Sequence, residues 1–410
     1  MKKEIHIVGA GLSGLSLAYF LVKENKDFDV TLYEKRKNIG GLIGSSHSKF
    51  GLSESAANAF MNSALLQEIA QDIGCELVER KKSARKKFIF YKKKMRQWPL
   101  SFMESLSFAF KLLKNWRKKA ALPQENLEEW SERIFGAPFT QKVLNAAVVG
   151  IYATRPKDLS APLVTASLFK KKTETTSPTQ KIVKGSIAPK NGMENFIHTL
   201  KLFLIKNNAK FIHEKKIPWD TSKDSRILAL ATSASDAAKI CPDQSIQKLL
   251  SSIQYKGLFS MSLFSKHKPT KTKSSFGCLF PKRAQMNAFG VLFNDSIFEN
   301  RIAPPAQSSE SWIIEDKGES VESVYGKITE DRKKLGFQSE ILHSEIFHWP
   351  QALPIYSRDL EQKIDQLKLL LKKTKNFYLT GNYLGRIGLK AILEDNQILA
   401  KKIIKESIEK

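Results

Sequence analysis

Ile5-His6-Ile7-Val8-Gly9-Ala10-Gly11-Leu12-Ser13-Gly14 opens the chain with a short apolar run followed at once by three spaced glycines. The run reads as a buried strand. Beyond the glycines, Leu15, Ala18, Tyr19, Leu21 and Val22 recur at helical spacing. A second run, Asp29-Val30-Thr31-Leu32-Tyr33, ends on Glu34. Together these make a strand–turn–helix–strand unit, the first part of a dinucleotide-binding domain. Gly9 permits the tight turn, Gly11 lets backbone approach a pyrophosphate, and Gly14 lets helix and strand pack closely. Leu12 and Ser13 lie at the helix N-terminus, whose free N–H groups and partial positive charge suit phosphate. Glu34 stands 20 residues after Gly14, where a carboxylate accepts ribose hydroxyls and repels a 2′-phosphate. The expected ligand is FAD or NAD rather than NADP. Gly40-Gly41, just past Lys35 and the second strand, favours FAD of the two.

The chain has 410 residues, enough for two or three domains. A hydrophobic fraction of 42% excludes a low-complexity or wholly disordered chain. Cys75, Cys241 and Cys278 are too scattered for a disulfide framework or a zinc site, which points to a reducing compartment. The seven histidines form no metal-binding spacing, and neither a GxSxG elbow nor a Walker loop is present, so no metal is expected. No uninterrupted apolar run of about 18 residues spans a membrane. Met1-Lys2-Lys3 mimics the start of a secretory leader, but Glu4 and His6 interrupt the apolar run behind it.

The formal charge of +26 is concentrated. Residues 80–120 hold fifteen Lys or Arg and one acid, Glu104. Leu100 to Ala121 reads as a helix carrying Phe102, Met103, Leu106, Phe110, Leu113 and Trp116, and a second helix is expected from Leu127 to Val149. Such a basic amphipathic stretch suits an anionic membrane surface, and no nucleic-acid motif accompanies it. Residues 170–191 read as an exposed connector and Met193 to Lys206 as a helix. Gly257 to Phe264, Ala288 to Phe293 and Trp312 to Ile314 read as strands. Phe377 to Thr380 is a further strand, Gly381 a turn, and Leu389 to Ile404 an amphipathic helix. The fold class expected is α/β and α+β. A discontinuous Rossmann-like domain (1–85, 186–250 and 357–410) carries the cofactor. Residues 86–185 form an inserted helical, membrane-associated domain, and 251–356 a mixed-sheet substrate domain.

Read in order, these segments resemble the protoporphyrinogen oxidase family of FAD enzymes, within the wider flavin amine oxidase-like group. Glu54-Ser55-Ala56-Ala57-Asn58-Ala59-Phe60 resembles the family's E-x-G-P-N-S-F segment. Arg133-Ile134-Phe135-Gly136, then Gly150-Ile151-Tyr152-Ala153 with Leu159-Ser160, resemble R-x-x-G and G-V-Y-A-G-x-x-x-x-L-S. Phe276 to Pro281 resembles G-F-G-x-L-x-P, and Trp349 to Tyr356 resembles W-x-x-A-L-P-x-Y. Gly381-Asn382-Tyr383-Leu384 with Gly388 is the last match. The chain departs from the pattern at Ala56-Ala57, at Leu42, and at Asp395-Asn396, where the family's final helix has a glycine.

The resemblance implies non-covalent FAD and oxidation of a porphyrinogen by successive two-electron steps in haem biosynthesis. Hydride passes from a meso carbon to flavin N5, with molecular oxygen as acceptor. It places Lys87 against a substrate propionate, and Asn58, Gly150, Phe276 and Leu279 in the pocket over the flavin. It adds Ala57, Asn58, Trp349, Gly381, Ile387, Gly388 and Leu389 to the FAD contacts, with the last helix's dipole aimed at flavin N1. It also implies a cytoplasmic protein, held peripherally at the inner membrane, and leaves room for a homodimer or a downstream haem-pathway partner. Coproporphyrinogen III, an amine or a polyene remain open as substrates, as does a catalytically idle FAD-binding scaffold.

Overall fold

The computed structural model describes residues 3–24, 27–169, 184–213 and 226–408. The strand β1 (Lys3–Val8), the helix α1 (Leu12–Glu24) and the strand β2 (Phe28–Glu34) form as the opening motif predicts. β1 lies between β2 and Ile227–Leu230, flanked outside by Lys210–His213 and Phe377–Leu379, in a five-stranded parallel sheet. Parallel strands covered on both faces need apolar residues throughout, and Ile5, Ile7, Leu32 and Leu228 to Leu230 are all solvent-free. One face carries α1, packed between the sheet and the C-terminal helix (Leu389–Ile408). α1 is buried from Leu12 to Val22 except at Ser13, so it is apolar all round rather than amphipathic.

A seven-stranded mixed sheet runs in the order Ile341–Pro354, Tyr255–Ser265, Ser308–Glu315, Ala288–Phe293, Ser275–Leu279, Lys86–Tyr91 and Lys94–Arg96. Its neighbours are antiparallel apart from Ser275–Leu279 and Lys86–Tyr91. The Val321–Leu335 helix covers one face through Val324 and Ile328 against Trp312 and Ile314. A buried ion pair, Arg332 Nε to Glu310 Oε2 at 2.9 Å, pins that helix, with Trp312 Nε1 donating to the same oxygen.

Three expectations are corrected. Residues 86–96, assigned to the helical insert, form the last two strands of the seven-stranded sheet. The single helix expected from Leu127 to Val149 is broken, because Gly136 turns to φ +91° and Pro138 restarts the chain. It resumes through a π-helical turn, Thr140–Leu144, before Asn145–Tyr152. Of the expected connector 170–191, residues 170–183 lie outside the described residues. Ser186–Pro189 is a largely buried strand between Phe60–Met61 and Leu77–Glu79.

A Cβ built on Gly14 would lie 1.9 Å from the Gly9 carbonyl oxygen, a backbone atom that cannot move aside. Gly14→Ala should therefore lower unfolding free energy by ~1–3 kcal/mol in denaturant titrations. Gly326→Ala, in open space within the Val321–Leu335 helix, should instead be neutral or stabilising by up to ~1 kcal/mol.

Candidate dinucleotide and substrate site

The opening turn is assembled from backbone. Gly9 N donates to Tyr33 O at 2.7 Å, and Gly40 N donates to Ala10 O at 2.8 Å. These bonds bring the two glycine motifs together, so a Cβ built on Gly41 would stand 3.3 Å from the Gly11 Cα. Gly40 and Gly41 both take positive φ, at +108° and +68°. Glu34 is buried at the end of β2. Its two carboxylate oxygens each accept one amide at 2.9 Å, Ala10 N on one and Arg36 N on the other. Each oxygen keeps lone pairs for a ribose hydroxyl. Lys35 turns away and pairs with Asp236 at 2.5 Å.

A second strand of contacts runs from the glycine pair to the other sheet. Ser55 Oγ donates to Leu42 O at 2.8 Å, Ser55 N to Gly44 O at 2.9 Å, and Trp349 Nε1 to Ser55 O at 2.8 Å. Asn58 Oδ1 accepts from Ser311 Oγ at 3.4 Å, and Ala57 packs against the α1 core. At the carboxyl end, the Tyr356 hydroxyl donates to Asn382 O and holds the turn that leads through Ile387 to Leu389. Gly381 takes φ +147°, and a Cβ on Gly388 would meet nothing within 4 Å.

The Glu54–Arg301 ion pair was not legible in the sequence, since 247 residues separate its partners. Both are 2% exposed, with Arg301 Nη1 3.3 Å from Glu54 Oε1. Glu54 also accepts from Ser45 Oγ at 2.6 Å and from Met193 N at 3.1 Å. Met193 begins the Met193–Lys206 helix, whose Gly192 N-cap has no side chain to offer. The carboxylate therefore caps that helix from afar. Burial pushes the Glu54 carboxyl up to about 7, against the pull of Arg301 and the Ser45 bond.

On the sheet, Lys87 Nζ stands 5.2 Å from the Phe276 ring centroid and has no carboxylate partner among the described residues. A register shift between Ser275 and Gly277 lets Phe276 pack with Ala59, Val78 and Leu292. Gly150 and Leu279 also meet, because a Cβ built on Gly150 would lie 2.5 Å from Leu279 Cδ2. The space above Gly150 is thus taken by a side chain rather than left open. Beside them, the Phe102–Asn115 helix buries no residue. Phe108 stacks on Phe139 at 4.6 Å, and Glu104 holds Lys142 at 2.5 Å. Its other stripe, Phe102, Met103, Leu106, Phe110 and Leu113, is between 51% and 78% exposed. Among the described residues no cluster of ligating side chains could hold a metal, and no helix is long and apolar enough to cross a membrane.

The Gly11–Gly41 cradle, which side chains would fill, and the open space before Leu389 fit an extended dinucleotide with a ring at its far end. Fold and turn define a Rossmann-like, dinucleotide-binding architecture that is shared with flavin amine oxidase-like structures. Residues 7–72 match the NAD(P)-binding Rossmann-like domain family. The resemblance to protoporphyrinogen oxidases extends along the chain. Protoporphyrinogen oxidase 2, chloroplastic/mitochondrial, of Arabidopsis thaliana is 20% identical over 477 residues, covering 94% of this chain and 91% of its own. Coproporphyrinogen III oxidase of Staphylococcus aureus is 33% identical over 96 residues, 23% of this chain and 21% of its own. A redesigned putrescine oxidase shares the fold at a TM-score of 0.73 and 11% identity, over 98% of this chain and 99% of its own.

A carboxyl raised from 4.5 to about 7 in the folded chain holds a proton that the unfolded chain has released. Its contribution to stability is complete below pH 4.5 and falls as pH rises through about 7. Glu54→Gln should flatten that decline in denaturation series across the window. Arg301→Met should cost ~3–5 kcal/mol at about pH 8, where Glu54 is ionised, and less at about pH 5.

Proposed function

We propose that this chain oxidises protoporphyrinogen IX to protoporphyrin IX, with molecular oxygen as the final acceptor. Bound FAD supplies the hydride acceptor for each two-electron step. The protein's share is placement, exclusion of water and charge complementarity. The observation that carries the reading is Lys87: an ammonium without a carboxylate partner among the described residues, standing over the Phe276 ring. Such a cation suits a propionate, while Phe276 and Leu279 offer apolar surface to a macrocycle. Trp349, tied to Ser55, holds the loop bearing Ala57 and Asn58 against the sheet. Each two-electron step removes a hydride from an electron-rich carbon and one proton, and no described side chain is assigned as the acceptor of that proton.

Lys87→Glu should raise KM for a dicarboxylate porphyrinogen about tenfold or more while the spectrum of bound FAD stays unchanged. Unaltered kinetics would remove Lys87 from the site. Coproporphyrinogen III is the second reading, supported by the local match to a coproporphyrinogen III oxidase. Assaying porphyrin fluorescence with two- and four-carboxylate substrates separates the two. Oxygen uptake matching that fluorescence excludes an idle scaffold.

The same proposal places the protein on an anionic membrane. The outward apolar stripe of the Phe102–Asn115 helix is flanked by Lys111, Lys114, Arg117 and Lys118, none of which has an ion pair among the described residues. That combination suits a lipid interface, at about 1 kcal/mol per surface cation. The protein should float with phosphatidylserine vesicles at low salt and release at high salt. A Phe110→Asp, Leu113→Asp variant should stay unbound at both. Failure of the unaltered protein to float would end the membrane proposal.

A further inference from the structure

The C-terminal helix carries Asp395-Asn396 where the resembled family has a glycine, and the inward residue of that pair is fully buried. Asn396 Nδ2 donates to Ser13 O at 2.8 Å and to Ser16 Oγ at 2.7 Å. Its Oδ1 accepts from Thr380 Oγ1 at 2.5 Å. Ser13 belongs to the first turn of α1, directly after the glycine turn, and Ser16 Oγ passes the link on to Leu12 O at 2.7 Å. Thr380 is the last residue before Gly381, where the turn toward Leu389 begins, and its own amide is held by Leu230 O at 2.9 Å. One carboxamide thus joins three elements that are 383 residues apart at their extremes. On the outward side of the same helical turn, Arg386 pairs with Asp395 at 2.6 Å and with Glu394 at 2.5 Å. Residues 394–396 therefore grip the 385–388 turn from one side and the glycine turn from the other.

We infer that Asn396 is a positioning residue for the bound dinucleotide, fixing the N-terminus of the C-terminal helix at a set distance from the N-terminus of α1. The inference rests on the FAD reading of the site. In that reading the two helix ends serve opposite ends of one extended molecule, the pyrophosphate and the flavin ring. A ligand that spans both binds well only if their separation is already correct, and the amide supplies that preorganisation. Both donors of the amide are used and its oxygen is satisfied, so a shape-matched apolar side chain would leave the Thr380 hydroxyl without its acceptor. An aspartate would set negative charge against the Ser13 carbonyl oxygen.

The test measures FAD affinity by flavin fluorescence quenching, the flavin midpoint potential, and the thermal midpoint of the apoprotein. Asn396→Leu should weaken FAD binding about tenfold or more and shift the potential. Thr380→Val, which removes one bond of the three, should move both readings in the same direction by less. It keeps the idea open to refutation if the first variant does not fold. A lower apoprotein midpoint with unchanged affinity and potential would reduce Asn396 to a packing residue and overturn the inference. Unaltered protein that takes up no FAD would overturn the cofactor reading as well; normal uptake with unaffected variants overturns this inference alone.

Discussion

Backbone packed against backbone at Gly14 is the constraint on which the rest of this structure depends. With the Gly9 carbonyl inside the space of any side chain, the first turn of α1 sits directly on the end of β1. That contact sets the height of α1 over the sheet. α1 then has no free face, being covered by the sheet, by the Met193–Lys206 helix and by the C-terminal helix. Each of those helices carries a further part of the site. The C-terminal helix begins at Leu389, directly after Gly388, both proposed for the site, and the Met193–Lys206 helix receives Glu54 at its N-terminus. A dinucleotide laid along this frame meets groups from both ends of the chain, all referred to one glycine contact.

The second sheet is joined to that frame by polar links inserted into an apolar interface. Glu54 and Arg301 form a charge pair that costs desolvation on both sides, and replacement of such a pair by well-packed apolar residues is often neutral or stabilising. What the pair adds is direction. The carboxylate has to satisfy Met193 N, Ser45 Oγ and Arg301 together, which admits one arrangement of the hairpin at Ser45–Glu54, the helix and the Arg301 loop. Trp349 to Ser55 and Ser311 to Asn58 act likewise along the following loop. The loop resembling E-x-G-P-N-S-F is thus held at both ends and along its length, so Asn58 and Ala57 stand where the two sheets meet.

What was legible in the sequence was whatever depends on near neighbours. The unit from Lys3 to Glu34, the Met193–Lys206 helix and the Ala288–Phe293 strand follow from local period and turn chemistry. Gly11 and Gly40-Gly41 each read as bringing backbone to a cofactor, while the bridge between Gly11 and Gly40 is visible only in the structure. Long-range pairing left no such trace. The pairing of Lys86–Tyr91 with Ser275–Leu279 hides behind lysines that read as a solvated run, yet Phe88 and Phe90 pack on the core of the sheet and Ile89, on the other face, is buried too. Ser186–Pro189 ends on a proline and follows a polar stretch, so composition hides a strand whose Ile187 and Ala188 are buried. Asn396 stood out only as a departure from a glycine, and its partners at Ser13 and Ser16 are visible only in three dimensions.

The Phe102–Asn115 helix poses an energetic question that folding alone does not answer. It has two apolar stripes, and the inner one is already spent on Phe135, Phe139 and Trp98. The single acid of the basic region is spent too. Glu104 caps its own helix and binds Lys142, which holds its carboxyl down to about 2. Among the described residues no carboxylate pairs with Lys111, Lys114, Arg117 or Lys118, and Phe102, Met103, Leu106, Phe110 and Leu113 stay exposed. A monomer gains nothing from keeping such a stripe in water, since each of these side chains, 51% to 78% exposed, forgoes part of the about 1.5–3 kcal/mol that full burial is worth. The capping box at Ser101 and Glu104 nevertheless fixes the helix in this orientation, so the exposure is built in rather than a consequence of fraying. A face both oily and cationic is matched by a surface that is oily within and anionic at its rim, and Lys142, which binds Glu104 of this helix, stands 5.2 Å from the ring centroid of Tyr91 at the end of the Lys86–Tyr91 strand.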